Sequence, residues 1–273
     1  MLRARFAPEL ESLRDGVLAG ADLRPDDVVL DVGCGTGLVG FGALQRLGPD
    51  GRVIFSDVSP ELLDECRRTA DGDERCSFVR AAAEDLTGVA DASVDVVSTR
   101  SVLMYSDRKA AAFAEFFRVL RPGGRVSLFE PINRFAARKG PGDLFGLGRT
   151  PVDDLLTRVH DAFRRTTQEA ERLIVDFDER DLLDWAVAAG FEAVRLEYRA
   201  QVDVPAEPIA DWAALKQTAP NPLAPTYGEA IAAALTVDER DRLDTYMTAR
   251  AASGAPTRST MAVAFLTASR SMN

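Results

Sequence analysis

The stretch Val28-Val29-Leu30-Asp31-Val32-Gly33-Cys34-Gly35-Thr36-Gly37-Leu38-Val39-Gly40 decides how this chain is read. It opens as a short apolar, β-branched run with an acid near its end, the pattern of a buried parallel strand. Three glycines at alternate positions make a loop, and Leu38 to Leu47 continues with helical spacing. Glycines let the backbone turn sharply and approach a ligand, so strand, glycine loop and helix together describe a nucleotide site. Gly35-Thr36-Gly37-Leu38-Val39-Gly40 also satisfies the dinucleotide pattern G-x-G-x-x-G, with Asp57 near the spacing of a ribose-binding acid. Asp31 separates the possibilities: a carboxylate at the end of the strand would repel a pyrophosphate and attract a cation.

Val-Leu-Asp-Val-Gly-Cys-Gly-Thr-Gly resembles motif I of the class I S-adenosylmethionine-dependent methyltransferases. Their cofactor carries a ribose, an adenine, a sulfonium and an aminium, and no phosphate. The resemblance implies a cofactor loop built from Asp31, Gly33, Cys34, Gly35 and Gly37, with Cys34 as a small buried filler. Arg52 to Ser56 reads as the second strand and Asp57 ends it. A carboxylate there can accept from both ribose hydroxyls, and Val58 would line the adenine pocket. Ser59-Pro60-Glu61 starts the next helix, serine as cap and proline at the first position.

After the third strand, Ser77 to Arg80, the family usually reads Gly-Asp-Ala-Glu-x-Leu, its Asp reaching the adenine amino group. This chain has Ala81-Ala82-Ala83-Glu84-Asp85-Leu86, with Ala82 in place of that acid. The backbone N–H of Ala83 remains to hold the ring, with Glu84, or Asp85 in a shifted register, for the amino group. Val94 to Arg100 resembles the family's fourth strand. Thr99, Arg100 and Ser101 stand at its C-terminal end and Tyr105 in the same mouth, where open α/β sheets place their ligands. Arg100 has two readings: it holds a carboxylate of cofactor or substrate, or it pairs with a structural acid. Leu120-Arg121-Pro122-Gly123-Gly124 resembles the superfamily's turn into the fifth strand, a marker of fold rather than chemistry.

These segments predict an α/β protein, a doubly wound, seven-stranded, mostly parallel sheet of Rossmann-like methyltransferase type with helical lid insertions. The strand order 3-2-1-4-5-7-6 is implied by the resemblance, which in sequence style is nearest the ubiquinone/menaquinone-biosynthesis group. Residues 1–131 form the cofactor-binding half and 132–172 a lid or substrate insertion. Residues 173–204 return to the sheet, 205–258 form a second helical insertion, and 259–273 are the last strand and tail. The insertion helix is expected over Pro151 to Ala170, with Val152, Leu155, Leu156, Val159 and Phe163 on one face. The glycines of Lys139 to Gly148 read as a hinge. Phe135, Phe145, Phe163 and Trp212 read either as the wall for a largely apolar acceptor or as helix-packing core.

A length of 273 residues suits one α/β domain with insertions, and 46% hydrophobic residues can bury a full core. A net charge of −10 argues against a general nucleic-acid binder and fits a small-molecule acceptor. No apolar run is long enough to span a bilayer, and Cys34, Cys66 and Cys76 have neither metal nor disulfide spacing. A cytoplasmic monomer or homodimer without membrane partner is expected, carrying S-adenosylmethionine and no metal. The reaction would be methyl transfer to an O, N, C or S atom of a small acceptor. A protein of the same fold that binds the cofactor without methylating, as a partner module or non-redox cyclase, and an NAD-dependent oxidoreductase are the alternatives.

A general base is needed only where the acceptor arrives protonated. His160, the one histidine, is the side chain that titrates near neutral pH without perturbation, and it borders the apolar face of the insertion helix. The competing reading is a packed or capping histidine. Tyr105 and Glu130, both at strand ends, are the rival candidates.

Overall fold

The computed structural model describes residues 7–137, 144–166, 168–221 and 224–272. Strand β1 (Val28–Val32) lies inside the sheet, parallel to β2 (Arg52–Asp57) on one side and β4 (Val94–Arg100) on the other. Val29, Leu30 and Val32 are at most 1% exposed, which is why this run shows no polar alternation. Strand β3 (Cys76–Arg80) pairs parallel with β2, and β5 (Leu120–Pro131) parallel with β4. Strand β7 (Thr257–Ser269) runs antiparallel to β5, and β6 (Glu192–Ala206) closes the edge. The order is β3-β2-β1-β4-β5-β7-β6, the expected mostly parallel sheet.

Helices stand between most of the strands, β3 and β4 excepted: α1 (Ala7–Ala21), α2 (Leu38–Leu44), α3 (Pro60–Ala70), α4 (Lys109–Val119) and α5 (Asn133–Ala136). Then follow α6 (Asp153–Thr166), α7 (Gln168–Val175), α8 (Glu179–Ala188), α9 (Trp212–Lys216), α10 (Tyr227–Ala234) and α11 (Val237–Ala252). Their starts are legible in the sequence. The Ser59 hydroxyl accepts the Leu62 N–H at 3.2 Å, with Pro60 at the first position of α3. Asp178 and Asp181 form a reciprocal capping box on α8.

Contacts divide the chain into two compact units. The first holds Met1–Pro131, Phe177–Arg199 and Val263–Asn273; the second holds Ile132–Asp176 and Ala200–Ala262. In the first, Val17 and Leu18 of α1, Val39 of α2 and Leu63 of α3 pack with Phe55 and Phe129 on one face of the sheet. In the second, Val152, Leu155, Leu156, Val159 and Phe163 of α6 pack with Trp212, Ile231, Leu243 and Met247. Among the described residues no helix is long and apolar enough to cross a membrane.

Three local expectations change. The helix after the glycine loop ends at Leu44 rather than Leu47, because the chain turns to bring the Gly48 N–H onto the Pro25 carbonyl at 2.8 Å. The insertion helix is two helices, α6 and α7, flanking residue 167, which lies outside the described residues. Of the hinge glycines, those at 140 and 142 lie outside the described residues, and Gly146 is a packing glycine. Its carbonyl accepts the Arg258 N–H at 2.7 Å, and a Cβ there would stand 2.0 Å from the Arg258 carbonyl oxygen.

Candidate functional site

The C-terminal ends of β1, β2 and β4 and the segment after β3 gather most of the expected residues within the first unit. Gly33, Gly35 and Gly37 have φ of +62°, +56° and +84°, a region that L side chains rarely occupy. They differ in what surrounds them. A Cβ on Gly33 would stand 2.3 Å from Val102, and one on Gly37 2.4 Å from Phe41. A Cβ on Gly35 would meet nothing within 4 Å among the described residues, so the open side of the loop is at Gly35. Cys34 is the expected filler: its N–H donates to the Ser56 carbonyl at 2.9 Å and its side chain is buried. The Cys66 thiol donates to the Gly35 carbonyl at 3.4 Å, and burial pushes both thiols upward, away from the reactive thiolate.

Asp57 ties the loop to the second strand. Its Oδ2 accepts the Gly35 N–H at 2.9 Å and its Oδ1 the Ser59 N–H at 2.9 Å. Each oxygen keeps a further lone pair for a hydroxyl donor. Beside it Val58 is 59% exposed, an apolar side chain in solvent at a strand end. Ala83 is buried, and its N–H has no acceptor among the described residues. An N–H without an acceptor, a glycine facing open space, a two-oxygen acceptor and an exposed valine suit the ring nitrogen, ribose and apolar face of a nucleoside.

Three acids require correction. Asp31 is 1% exposed and does not front a ligand. Its Oδ2 accepts the Gly40 N–H at 2.8 Å and its Oδ1 the Ser98 hydroxyl at 3.2 Å, a residue opposite it in register on β4. Burial pushes its carboxyl up to about 7 against those hydrogen bonds. Asp31 therefore holds the start of α2 in place rather than attracting a cation directly. Glu84 is the second. Its Oε2 accepts the Ser106 hydroxyl at 3.0 Å, and its side chain lines a surface groove with Arg108 and Arg118 that includes neither Val58 nor Ala83.

Glu130 is the third and is not placed as a base. It is 0% exposed; its Oε1 accepts the Val102 and Leu103 N–H groups at 2.8 Å each, and its Oε2 the Met104 N–H at 3.4 Å. Burial pushes its carboxyl up to about 7. Glu130 is a strut under the helical turn Leu103–Tyr105, and that turn presses Val102 against Gly33. Sequence reasoning missed Val102, Ser98 and Ser106. Nothing in the local pattern marks them, because each acquires its role from a residue on another strand or loop.

Arg100 is half-buried at the end of β4, and its guanidinium makes no hydrogen bond or ion pair among the described residues. That favours its ligand reading over the structural pair. Its charge bears on Asp31 and on Tyr105, whose phenol is raised by burial and by Glu130. Ser101 adopts φ +58° and donates its N–H to the Phe129 carbonyl at 2.9 Å, turning the chain out of the strand. His160 lies on α6, in the second unit, half-buried. Phe145 and Trp212 meet edge-to-face at 5.6 Å, and Phe163 and Tyr227 at 5.3 Å. Phe163 and Trp212 are 4% and 3% exposed, so these rings are the core of that unit, not a free wall.

Residues 29–124, from β1 into β5, match the methyltransferase domain family. The chain is 32% identical over 209 residues to an arsenite methyltransferase of Halobacterium salinarum, an alignment covering 68% of this chain and 54% of that protein. It thus spans about half the length of that relative. It is 31% identical over 179 residues to a ubiquinone/menaquinone biosynthesis C-methyltransferase of Laribacter hongkongensis, covering 65% of this chain and 72% of that enzyme. Its fold is shared with phosphoethanolamine N-methyltransferase 2 of Haemonchus contortus in complex with S-adenosyl-L-methionine. That match has a TM-score of 0.55 at 14% identity and covers 95% of this chain and 52% of the other. On the sheet order, the glycine loop and these relatives together, the chain belongs to the class I S-adenosylmethionine-dependent methyltransferases.

Proposed function

We propose that this protein transfers the methyl group of S-adenosylmethionine to a small organic acceptor. The observation that carries the reading is the cradle at Gly35, a left-handed glycine facing open space with its N–H held by the Asp57 carboxylate. Asp57 would accept the ribose hydroxyls, Val58 would cover the base, the Ala83 N–H would donate to a ring nitrogen, and Arg100 would hold a carboxylate. When bound, the cofactor supplies a methyl group already activated as a sulfonium. What remains for the chain is to bring the nucleophile close along the axis of attack and exclude water.

The relatives' named acceptors are not carried over. A soft metalloid calls for clustered thiolates, whereas Cys34 and Cys66 lie buried beneath the loop with raised thiol pKa values. Phe145, Phe163 and Trp212 belong to packed core and Phe135 is half-buried outside that cluster, so the acceptor's polarity follows from neither feature. Calorimetry with S-adenosylhomocysteine tests the cofactor site, with micromolar affinity expected, on the order of −8 kcal/mol. Mass analysis for a gain of one methyl across an acceptor panel tests the reaction. Binding of NADH in its place, seen by ultraviolet difference titration, would overturn the reading.

A further inference from the structure

The segment after β3 is held in one register. The Ala81 N–H donates to the Asp57 carbonyl at 3.2 Å, and the Asp85 N–H to the Ala82 carbonyl at 3.1 Å, closing an isolated bridge between Ala82 and Asp85. Ala82 therefore brings only a methyl group to the position before the orphaned Ala83 N–H. Each neighbouring acid is engaged elsewhere through one of its two oxygens. Glu84 accepts from Ser106, whose oxygen in turn accepts the Arg108 N–H at 3.0 Å. Asp85 accepts both the N–H and the hydroxyl of Thr87. Both acids line the groove that contains Arg108 and Arg118 and omits Asp57, Val58 and Ala83. Among the described residues this segment thus offers one unpaired donor, at Ala83, and no acid at position 82, and the neighbouring Val58 is 59% exposed.

Resting on the cofactor reading above, we infer that this site reads the purine through the Ala83 N–H and the ribose and is indifferent to the 6-amino group. A donor facing a ring nitrogen requires that nitrogen to be an acceptor, as N1 of adenine is. It opposes a purine whose N1 bears hydrogen, as in hypoxanthine. The 6-amino group meets water in the bound and the free state alike, so removing it forfeits no protein contact. Cofactors with the amino group deleted or methylated are accepted, and a 6-oxo cofactor is rejected.

Calorimetry on the whole protein tests this with S-adenosylhomocysteine and its 6-deamino, N6-methyl and 6-oxo analogues. The deamino and N6-methyl compounds are expected within about threefold of S-adenosylhomocysteine, and the 6-oxo compound at least about tenfold weaker, the lower end of losing a hydrogen bond against an opposed donor. In Ala82→Asp the deamino analogue should become at least about tenfold weaker than S-adenosylhomocysteine, since an acceptor now faces the amino group. A tenfold penalty for the deamino analogue in the parent overturns the inference. If Glu84→Ala then erases that penalty, Glu84 is the reader. Should Ala82→Asp not fold, the parent's four affinities still decide. Failure of S-adenosylhomocysteine itself to bind is a different result and removes the cofactor reading beneath the inference.

Discussion

Asp57 has two structural bonds and, in the proposed complex, two more. Asp57→Ala removes the ribose acceptor and also releases the Gly35 N–H. S-adenosylhomocysteine binding should weaken by about 1.5–3 kcal/mol, the scale of a hydrogen bond to a charged group. Calorimetry that finds the variant binding like the parent would exclude Asp57 as ribose ligand. Gly33 and Gly35 separate folding from binding. Alanine at either strains a left-handed residue by about 1–2 kcal/mol. Gly33→Ala also drives a methyl to 2.3 Å from Val102 and should lower the melting temperature more. Gly35→Ala meets no atom of the described residues, so it should stay folded yet lose at least about tenfold in cofactor affinity, its methyl standing where the proposed ligand would lie. Equal effects of the two on melting temperature and affinity would contradict this division. For His160, a catalytic base predicts that His160→Gln lowers turnover about 10²–10⁴-fold with cofactor affinity intact. A loss below about tenfold returns His160 to packing.

At the scale of the element, the turn at 102–105 is held by a carboxylate on a neighbouring strand. Glu130 is pushed up to about 7 by burial, well above a free glutamate. Between the two values the folded state holds a proton that the unfolded state has released, so stability falls as pH rises through this window. The loss amounts to about 3 kcal/mol between pH 4.5 and 8. Asp31, also raised to about 7, acts in the same direction. Chemical denaturation at pH 5.5 and 8 should show lower stability at pH 8, and Glu130→Gln should shrink the difference. An unchanged difference in that variant would mean that Glu130 is not a source of the pH dependence. The element boundaries were largely legible because caps and turns are local: Ser59 with Pro60, Asp178 with Asp181, and Gly190 at φ +100° after α8. The purpose of the acids was not. Glu130 reaches residues 26 to 28 positions back in the chain, and Glu84 a residue 22 positions on.

At the scale of the molecule, every expected cofactor residue belongs to the first unit, while Leu243 is wholly buried in the helical core of the second. Leu243→Ala should lose about 2–5 kcal/mol through the cavity it leaves. Below its melting point the variant should keep S-adenosylhomocysteine affinity within about threefold. Affinity that falls with stability would mean the second unit supports the cofactor site. The sequence alone determined the strand–glycine–helix unit, the parallel strands, the helix starts and, through resemblance, the family and strand order. Those features follow from backbone conformation and periodicity, which neighbouring residues set. Only the tertiary structure decided that Asp31 and Glu130 are buried struts and that Glu84 turns to Ser106. It also decided that Phe145, Phe163, Trp212 and Tyr227 pack on one another, and that Gly35 alone of the three loop glycines faces open space. A side chain's partner depends on which distant segment folds against it, and Asp31 meets Ser98 across 67 positions of chain that no local pattern spans.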